Sequence, residues 1–359
     1  MTKFFKKIDE ILVSRDDKVR EVISVIDKSS KGIALVADDR RLIATITDGD
    51  IRRAILDNFD IDNTVNKFLE RAKNINYKKP VSVNKDASQD VFSKTMQENS
   101  IHQLPLIDEN DIVHDLVTMD ELLPDSNLSV DAVVMAGGLG TRLNPLTQET
   151  TKPMLPVGDK PLLQHIVEQL NKSNIQKITI STNYLADKIK QYFGDGQEYG
   201  LDIDYLSESK PLGTAGALVL LDKPEKTTLL INGDVLTNIN IASMVDFHRK
   251  HNSIVTMAVR QYDMKVPYGV VECEDVFVTE ITEKPVIPFF VNAGIYLIEP
   301  EAFLMISEDE KFDMTELIEA LKKDNKTVVA FPIHEYWLDI GQLADYEQAQ
   351  KDITNGELN

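Results

Sequence analysis

The chain has 359 residues, enough for two domains with separate cores, and 42% hydrophobic with 27% charged residues is the balance of a folded globular protein. A formal charge of −20 argues against nucleic acid as a partner, and no run of about 18 apolar residues offers a membrane span. Cys273 is the only cysteine, so no internal disulfide can form and a reducing cytoplasm fits; residues 1–10 lose their apolar character too early for a signal peptide. Residues 1–125 carry 19 Lys+Arg against 24 Asp+Glu, and the remainder 20 against 35. A polyanionic ligand of the second part therefore needs local cations, with a divalent metal as the natural supplement.

The first 125 residues repeat internally. Residues 34–43 align with 104–113, and each block leads through a second strand to a threonine, Thr47 or Thr118, and then into a helix. The spacing is too long for a solenoid repeat. Strand, acidic turn, strand, threonine and helix, twice over, resembles a tandem pair of CBS domains, with residues 47–53 as the nearest match. The resemblance implies a regulatory nucleotide whose ribose hydroxyls meet Asp50 beside Thr47, and a homo-oligomer held at least partly by residues 1–125. The second copy departs from the pattern, with Glu121 following Thr118. Read by themselves, Thr47 and Asp48 are equally a cap for a helix beginning near Gly49.

Residues 123–128 are polar and contain Pro124, a domain boundary. The predicted organisation is a tandem pair over 1–125, a linker over 126–130 and a second domain over 131–359. From 131 onward strands and helices alternate. Residues 132–136 are an apolar strand; Pro161 stands at a first helical position ahead of Leu162, Leu163, Ile166, Val167 and Leu170; residues 177–181 are a strand. Leu185, Ile189 and Phe193 mark a helix that Gly194 closes, and residues 228–232 and 254–259 are further strands. Such alternation predicts an α/β fold, a mostly parallel doubly wound sheet that binds ligands at the carboxyl ends of its strands.

The strand at 132–136 opens into a loop containing Ala136, Gly137, Gly138, Gly140 and Thr141, where backbone N–H groups can approach phosphates, and Arg142 and Lys152 follow as cations. The spacing fits neither a dinucleotide fingerprint nor a Walker A loop: Leu143 stands where the third glycine would, and no Lys directly follows the glycines. The pattern as it stands, GGxGTRLxPLT with KPxxP, resembles the sugar-1-phosphate nucleotidyltransferase family. The whole chain resembles CBS-fused guanylyltransferases of surface-glycan synthesis, which include mannose-1-phosphate enzymes and glucosamine-1-phosphate enzymes of legionaminic acid synthesis. The resemblance implies a Rossmann-like, GT-A-like sheet, and transfer from a nucleoside triphosphate to a sugar 1-phosphate with release of pyrophosphate.

It also implies roles. Asp234, at the end of the 228–232 strand, and Asp339, in a WxDxG element, would hold Mg²⁺. Arg142 would cover the triphosphate, while Lys152 and Lys284 would bridge the α-phosphate and the sugar phosphate. Glu283, Gly269 and Asn292 would meet the sugar, and Gly213 and Thr214 belong to the base-binding loop. Glu208 precedes that loop; a carboxylate suits the two adjacent donors of guanine, which favours GTP over UTP or dTTP. No Ser-His-Asp or Cys-His arrangement is evident, and none is needed, because a sugar-phosphate oxygen can attack the α-phosphorus in line. The rival class is a nucleotide sensor on a degenerate transferase; retention of Arg142, Lys152, Asp234, Lys284 and Asp339 argues against it.

Overall fold

The computed structural model describes residues 7–73, 80–99, 101–122, 128–138, 140–183, 185–208, 210–222, 224–307 and 310–358. They fall into two compact units, Met1–Asn127 and Leu128–Asn359. Of the expected join at 123–128 and linker at 126–130, residues 123–127 lie outside the described residues, and Val130, expected in the linker, already opens a strand.

The repeat in the first unit is structural. Leu12–Val13, Ile33–Asp38 and Arg41–Thr47 form one three-stranded sheet, and Val83–Asn84, Gln103–Ile107 and Val113–Thr118 form another. In each, the short strand pairs in parallel with the first arm of an antiparallel hairpin, so Leu35 meets Leu12 as Leu106 meets Val83. The helix Val19–Ser29 turns Val19, Val22 and Ile26 inward at helical spacing. The two halves meet at an antiparallel bridge between Arg41 and Ile112 and share an apolar cluster that includes Ile11, Leu35, Val113 and Leu116.

In the second unit seven strands run side by side in the order Asp202–Ser207, Lys177–Thr182, Val130–Met135, Thr227–Asn232, Val286–Ile298, Val255–Lys265, Val328–Ile333. Only Val286–Ile298 opposes its neighbours; every other pairing is parallel. The inner strands are apolar almost throughout because both faces are covered. On one face Leu162–Lys172 buries Leu163, Ile166, Val167 and Leu170, joined by Ile189, Phe193, Met244 and Val245. Ala215, Leu218, Met314, Leu317 and Leu321 cover the other. Pro161 is the residue capping Leu162–Lys172 rather than its first member, a shift of one position.

A separate cluster of Leu143, Leu155, Val157, Leu162, Leu236, Ile340 and Ala349 lies beneath the glycine loop and the short antiparallel pair Val235–Thr237 with Trp337–Asp339. The strand expected over 254–259 instead runs Val255–Lys265, since Gln261, Tyr262, Asp263 and Met264 keep the polar–apolar alternation of a strand and pair with residues 286–290. This ribbon continues into the hairpin Val270–Glu274 with Phe277–Thr282.

Candidate active site

The carboxyl ends of the central strands are where the predicted residues gather. Val130–Met135 ends at the glycine loop, and Thr227–Asn232 ends one residue before Gly233 and Asp234. Gly233 donates to the Met135 carbonyl at 2.9 Å, and a Cβ there would stand 2.6 Å from the same oxygen. No side chain fits, so the two strand ends can close together only with glycine at 233. Gly140 is at φ 62, and a Cβ on it would lie 3.0 Å from Lys152 Cβ. Thr147 locks that turn by donating from Oγ1 to the Gly140 carbonyl at 2.9 Å.

Lys152 is buried and donates to Asp234 Oδ2 at 2.6 Å. Asp339 reaches the same place from the other end of the chain: Val235 pairs with Asp339, and Ile340 donates to the Asp234 carbonyl at 3.0 Å. Part of Asp339 faces solvent, yet the surrounding protein strips enough water to raise its carboxyl above the ordinary range, and the Asp234 charge adds to the rise. Lys152 and Arg142 act in the opposite sense, which puts the three other charges within range of Asp339. Arg142 itself is exposed, on the short turn Thr141–Leu143 whose Leu143 sits in the apolar cluster below.

Glu208 lies across the loop. A Cβ on Gly137 would stand 2.9 Å from Glu208 Oε1. Ser181 Oγ donates to that oxygen at 2.7 Å, and the Leu212 N–H donates to Oε2 at 3.1 Å, so the carboxylate is fixed at the strand end. Ala136 is buried and donates to the Ser181 carbonyl, whereas Gly138 is open to solvent. Gly213 and Thr214 are braced from a distance in sequence. Gly213 packs against the Phe312 carbonyl, the Thr214 N–H donates to Asp313 Oδ1 at 3.1 Å, and Met314 donates to Thr214 Oγ1 at 2.9 Å. The Thr214 hydroxyl thus serves the start of the helix Met314–Lys323.

The expected sugar-side residues stand on the ribbon and its base. Gly269 faces the Glu283 carboxylate, Lys284 donates through its backbone to Tyr268 at 3.3 Å, and Glu283 and Lys284 are exposed. Asn292 bonds Tyr296 OH and accepts from the Gly294 N–H. Trp337 Nε1 donates to the Ala293 carbonyl at 2.9 Å and so ties this segment to the Asp339 strand.

Some contributors carry no signal in the sequence. Phe312 and Asp313 belong to no local motif and find Thr214 only through the fold, whereas Thr147 stands inside the GGxGTRLxPLT pattern, whose spacing could have marked it. Among the described residues, two buried atoms beside the charged cluster, Thr151 Oγ1 and Asn232 Oδ1, have no hydrogen-bond partner. A Ser253–His248–Glu299 chain of contacts is likewise invisible in sequence, at 2.9 and 2.8 Å; it lies at the amino end of the sheet, away from this site, with Ser253 and His248 buried and Glu299 partly exposed.

In the first unit Thr47 and Asp50 form a reciprocal cap. Asp50 accepts from the Thr47 N–H at 2.9 Å and from its hydroxyl at 2.6 Å, while the Asp50 N–H returns to Thr47 Oγ1, and Arg53 takes the other carboxylate oxygen. Glu121 repeats the arrangement, accepting from the Thr118 N–H at 2.9 Å and from Lys31 at 2.7 Å. The helix begins at Asp48, one residue before the expected Gly49.

A mostly parallel α/β sheet with a glycine loop, two cations and paired carboxylates at its strand ends is an arrangement suited to phosphate groups. Residues 131–356 match the family described as Nucleotidyl transferase, and residues 2–57 and 72–124 match the CBS domain. The chain belongs to the nucleotidyl transferase family and carries CBS domains ahead of it. It is 33% identical over 235 residues to a mannose-1-phosphate guanylyltransferase of Mycobacterium tuberculosis, covering 63% of this chain and 65% of that one. It is equally, 33%, identical over 229 residues to a D-glycero-alpha-D-manno-heptose 1-phosphate guanylyltransferase of Aneurinibacillus thermoaerophilus, covering 62% of this chain and 98% of that one. A solved Bacillus anthracis structure, provisionally assigned as a glucose-1-phosphate thymidylyltransferase and holding sucrose, matches with a TM-score of 0.52 and 26% identity over 62% of this chain and 94% of that one.

Proposed function

We propose that the Leu128–Asn359 unit transfers the nucleotidyl group of a nucleoside triphosphate, GTP ahead of UTP or dTTP, to a sugar 1-phosphate and releases pyrophosphate. The observation that carries this reading is the convergence of Arg142, Lys152, Asp234 and Asp339 beside the glycine loop. Relatives named as guanylyltransferases support it, and the half-buried Glu208 against Gly137 supports guanine. The sugar belongs to a surface glycan, with the glucosamine 1-phosphate of legionaminic acid synthesis one to test, and the setting is cytoplasmic.

The carboxylates suit a divalent cation. Burial first and the Asp234 charge next raise the cost of ionising Asp339, a repulsion that a metal would relieve, and two hard oxygen donors match Mg²⁺. Asp234 and Asp339 would hold it, and bound there it would neutralise and orient phosphate oxygens. The chain's own groups supply the rest. Backbone N–H groups of the 137–141 loop cradle the phosphates, and Arg142 balances charge that builds on the departing pyrophosphate. Lys152, held beside Asp234, would meet the α-phosphate and Lys284, from the ribbon, the sugar phosphate, while Glu283 and Asn292 would orient the sugar. In-line attack by the sugar-phosphate oxygen needs no protein nucleophile.

A CBS nucleotide would have to displace Arg53 from Asp50, and Asp50→Ala measures whether that contact matters to rate. Pyrophosphate release across a panel of GTP, UTP and dTTP with sugar 1-phosphates tests the catalytic reading. Turnover strongest with GTP supports it; turnover confined to UTP or dTTP removes the role given to Glu208. Binding without turnover in every combination would make the protein a sensor.

A further inference from the structure

Strand alternation in Lys177–Thr182 sends Ile178 and Ile180 into the core on one face and leaves Thr179 and Ser181 on the other, both buried. A buried hydroxyl needs a partner. Ser181 finds one past the strand end, where its Oγ donates to Glu208 Oε1 at 2.7 Å. The direction of that bond is fixed, because an ionised carboxylate only accepts. Glu208 is thus held at three points. Its N–H donates to the Thr182 carbonyl at 3.0 Å, Ser181 takes one carboxylate oxygen, and the Leu212 N–H takes the other at 3.1 Å.

Each carboxylate oxygen offers two acceptor sites. Ser181 and Leu212 use one on each, which leaves one on each for a ligand, along an edge that cannot turn. Gly137 keeps the approach to Oε1 clear, since a Cβ there would stand 2.9 Å from that oxygen. Guanine presents two donors side by side, its ring N–H and its amine. Uracil and thymine present one N–H between two carbonyl oxygens, which a carboxylate repels. We infer that Ser181 sets the choice of base, as a positioning residue that acts through Glu208 and touches no ligand itself. The inference rests on the reading of Glu208 given above. The last torsion of a glutamate is soft. Without the Ser181 hydroxyl, Glu208 keeps its charge but turns, and offers guanine a single oxygen in place of a fixed pair.

The experiment compares the full chain with Ser181→Ala, Glu208→Gln and the double variant. Pyrophosphate release is followed with GTP and with UTP, on mannose 1-phosphate or glucosamine 1-phosphate, and calorimetry gives the dissociation constants of both nucleotides. In Ser181→Ala the ratio of kcat/KM for GTP over UTP should fall at least about ten-fold, with KM for the sugar 1-phosphate and circular dichroism unchanged. In the Glu208→Gln background the same Ser181→Ala change should leave the ratio where it stands, because the two residues act as one unit. A GTP-preferring wild type whose preference survives Ser181→Ala overturns the inference and leaves the reading of Glu208 standing. So does a Ser181→Ala variant that loses both nucleotides in equal proportion. A wild type that prefers UTP removes the reading and the inference together. If no combination turns over, the ratio of dissociation constants decides between the same outcomes.

Discussion

Asp234 has two suitors. Lys152 holds it at 2.6 Å, and Asp339 stands beside it as a like charge. If both carboxylates hold the proposed metal, replacing either with Asn takes away a ligand without opening a cavity, so Asp234→Asn and Asp339→Asn should each lower kcat about 10²–10³-fold while circular dichroism stays unchanged. Near-normal rates at limiting Mg²⁺ would remove the metal role. Asp339 has a second consequence. Its folded-state pKa is raised, by burial first and by Asp234 next, so its ionised form is the one the fold disfavours. Its stability contribution is fully present below the ordinary carboxylate pKa and is lost as pH rises through the raised value. In chelator at pH 7, Asp339→Asn should therefore melt above the wild type, and the gap should close on acidification; differential scanning fluorimetry reads both. These residues were legible because they sit in contiguous motifs. Thr151, Asn232 and Phe312 were not, because their part in the site depends on burial and on neighbours that only the fold supplies.

At the scale of elements, periodicity found the inner strands and the helix of residues 162–172 to within two residues, because burial forces their side chains into pattern. It stopped short on the ribbon, where strand conformation persists to Lys265 through pairing with residues 286–290 rather than through a buried face. The loop at Gly213 and Thr214, proposed to hold the base, is another product of pairing at a distance. Thr214 accepts from Met314 at 2.9 Å and so caps a helix a hundred residues downstream, while the same loop approaches Glu208 through Leu212. Thr214→Val should therefore cost about 1 kcal/mol, a drop of about 2–4 °C in Tm. It should also raise KM for the triphosphate with kcat nearly unchanged. An unaltered KM in steady-state kinetics would show that the loop keeps its shape without the cap.

For the molecule as a whole, each unit has its own core, Val22, Ile46 and Ile51 among the residues of the first and Leu163, Ile180 and Leu229 among those of the second. Calorimetry of the intact chain should show two transitions. Only the transition that belongs to residues 128–359 should move when Mg²⁺ and GTP are added, since ligands stabilise the unit they bind. A chain beginning at Leu128 should keep that transition and most of its turnover while losing any response to nucleotides bound by the CBS domains. If removing residues 1–127 abolishes turnover, the second unit is not catalytically independent.

The apolar floor beneath the charged cluster has a bearing on synthesis. It takes Leu143, Leu155 and Leu236 from the middle of the chain, but Ile340 and Ala349 from close to its last helix, Leu343–Thr354. A ribosome adding residues from the N-terminus exposes the glycine loop, Lys152 and Asp234 at least about a hundred codons before that floor can close. During this interval the nascent chain carries the glycine loop, Lys152 and Asp234 without the surface that fixes their spacing. The spacing of these groups is therefore fixed late, once Leu343–Thr354 has been made and settles under the loop.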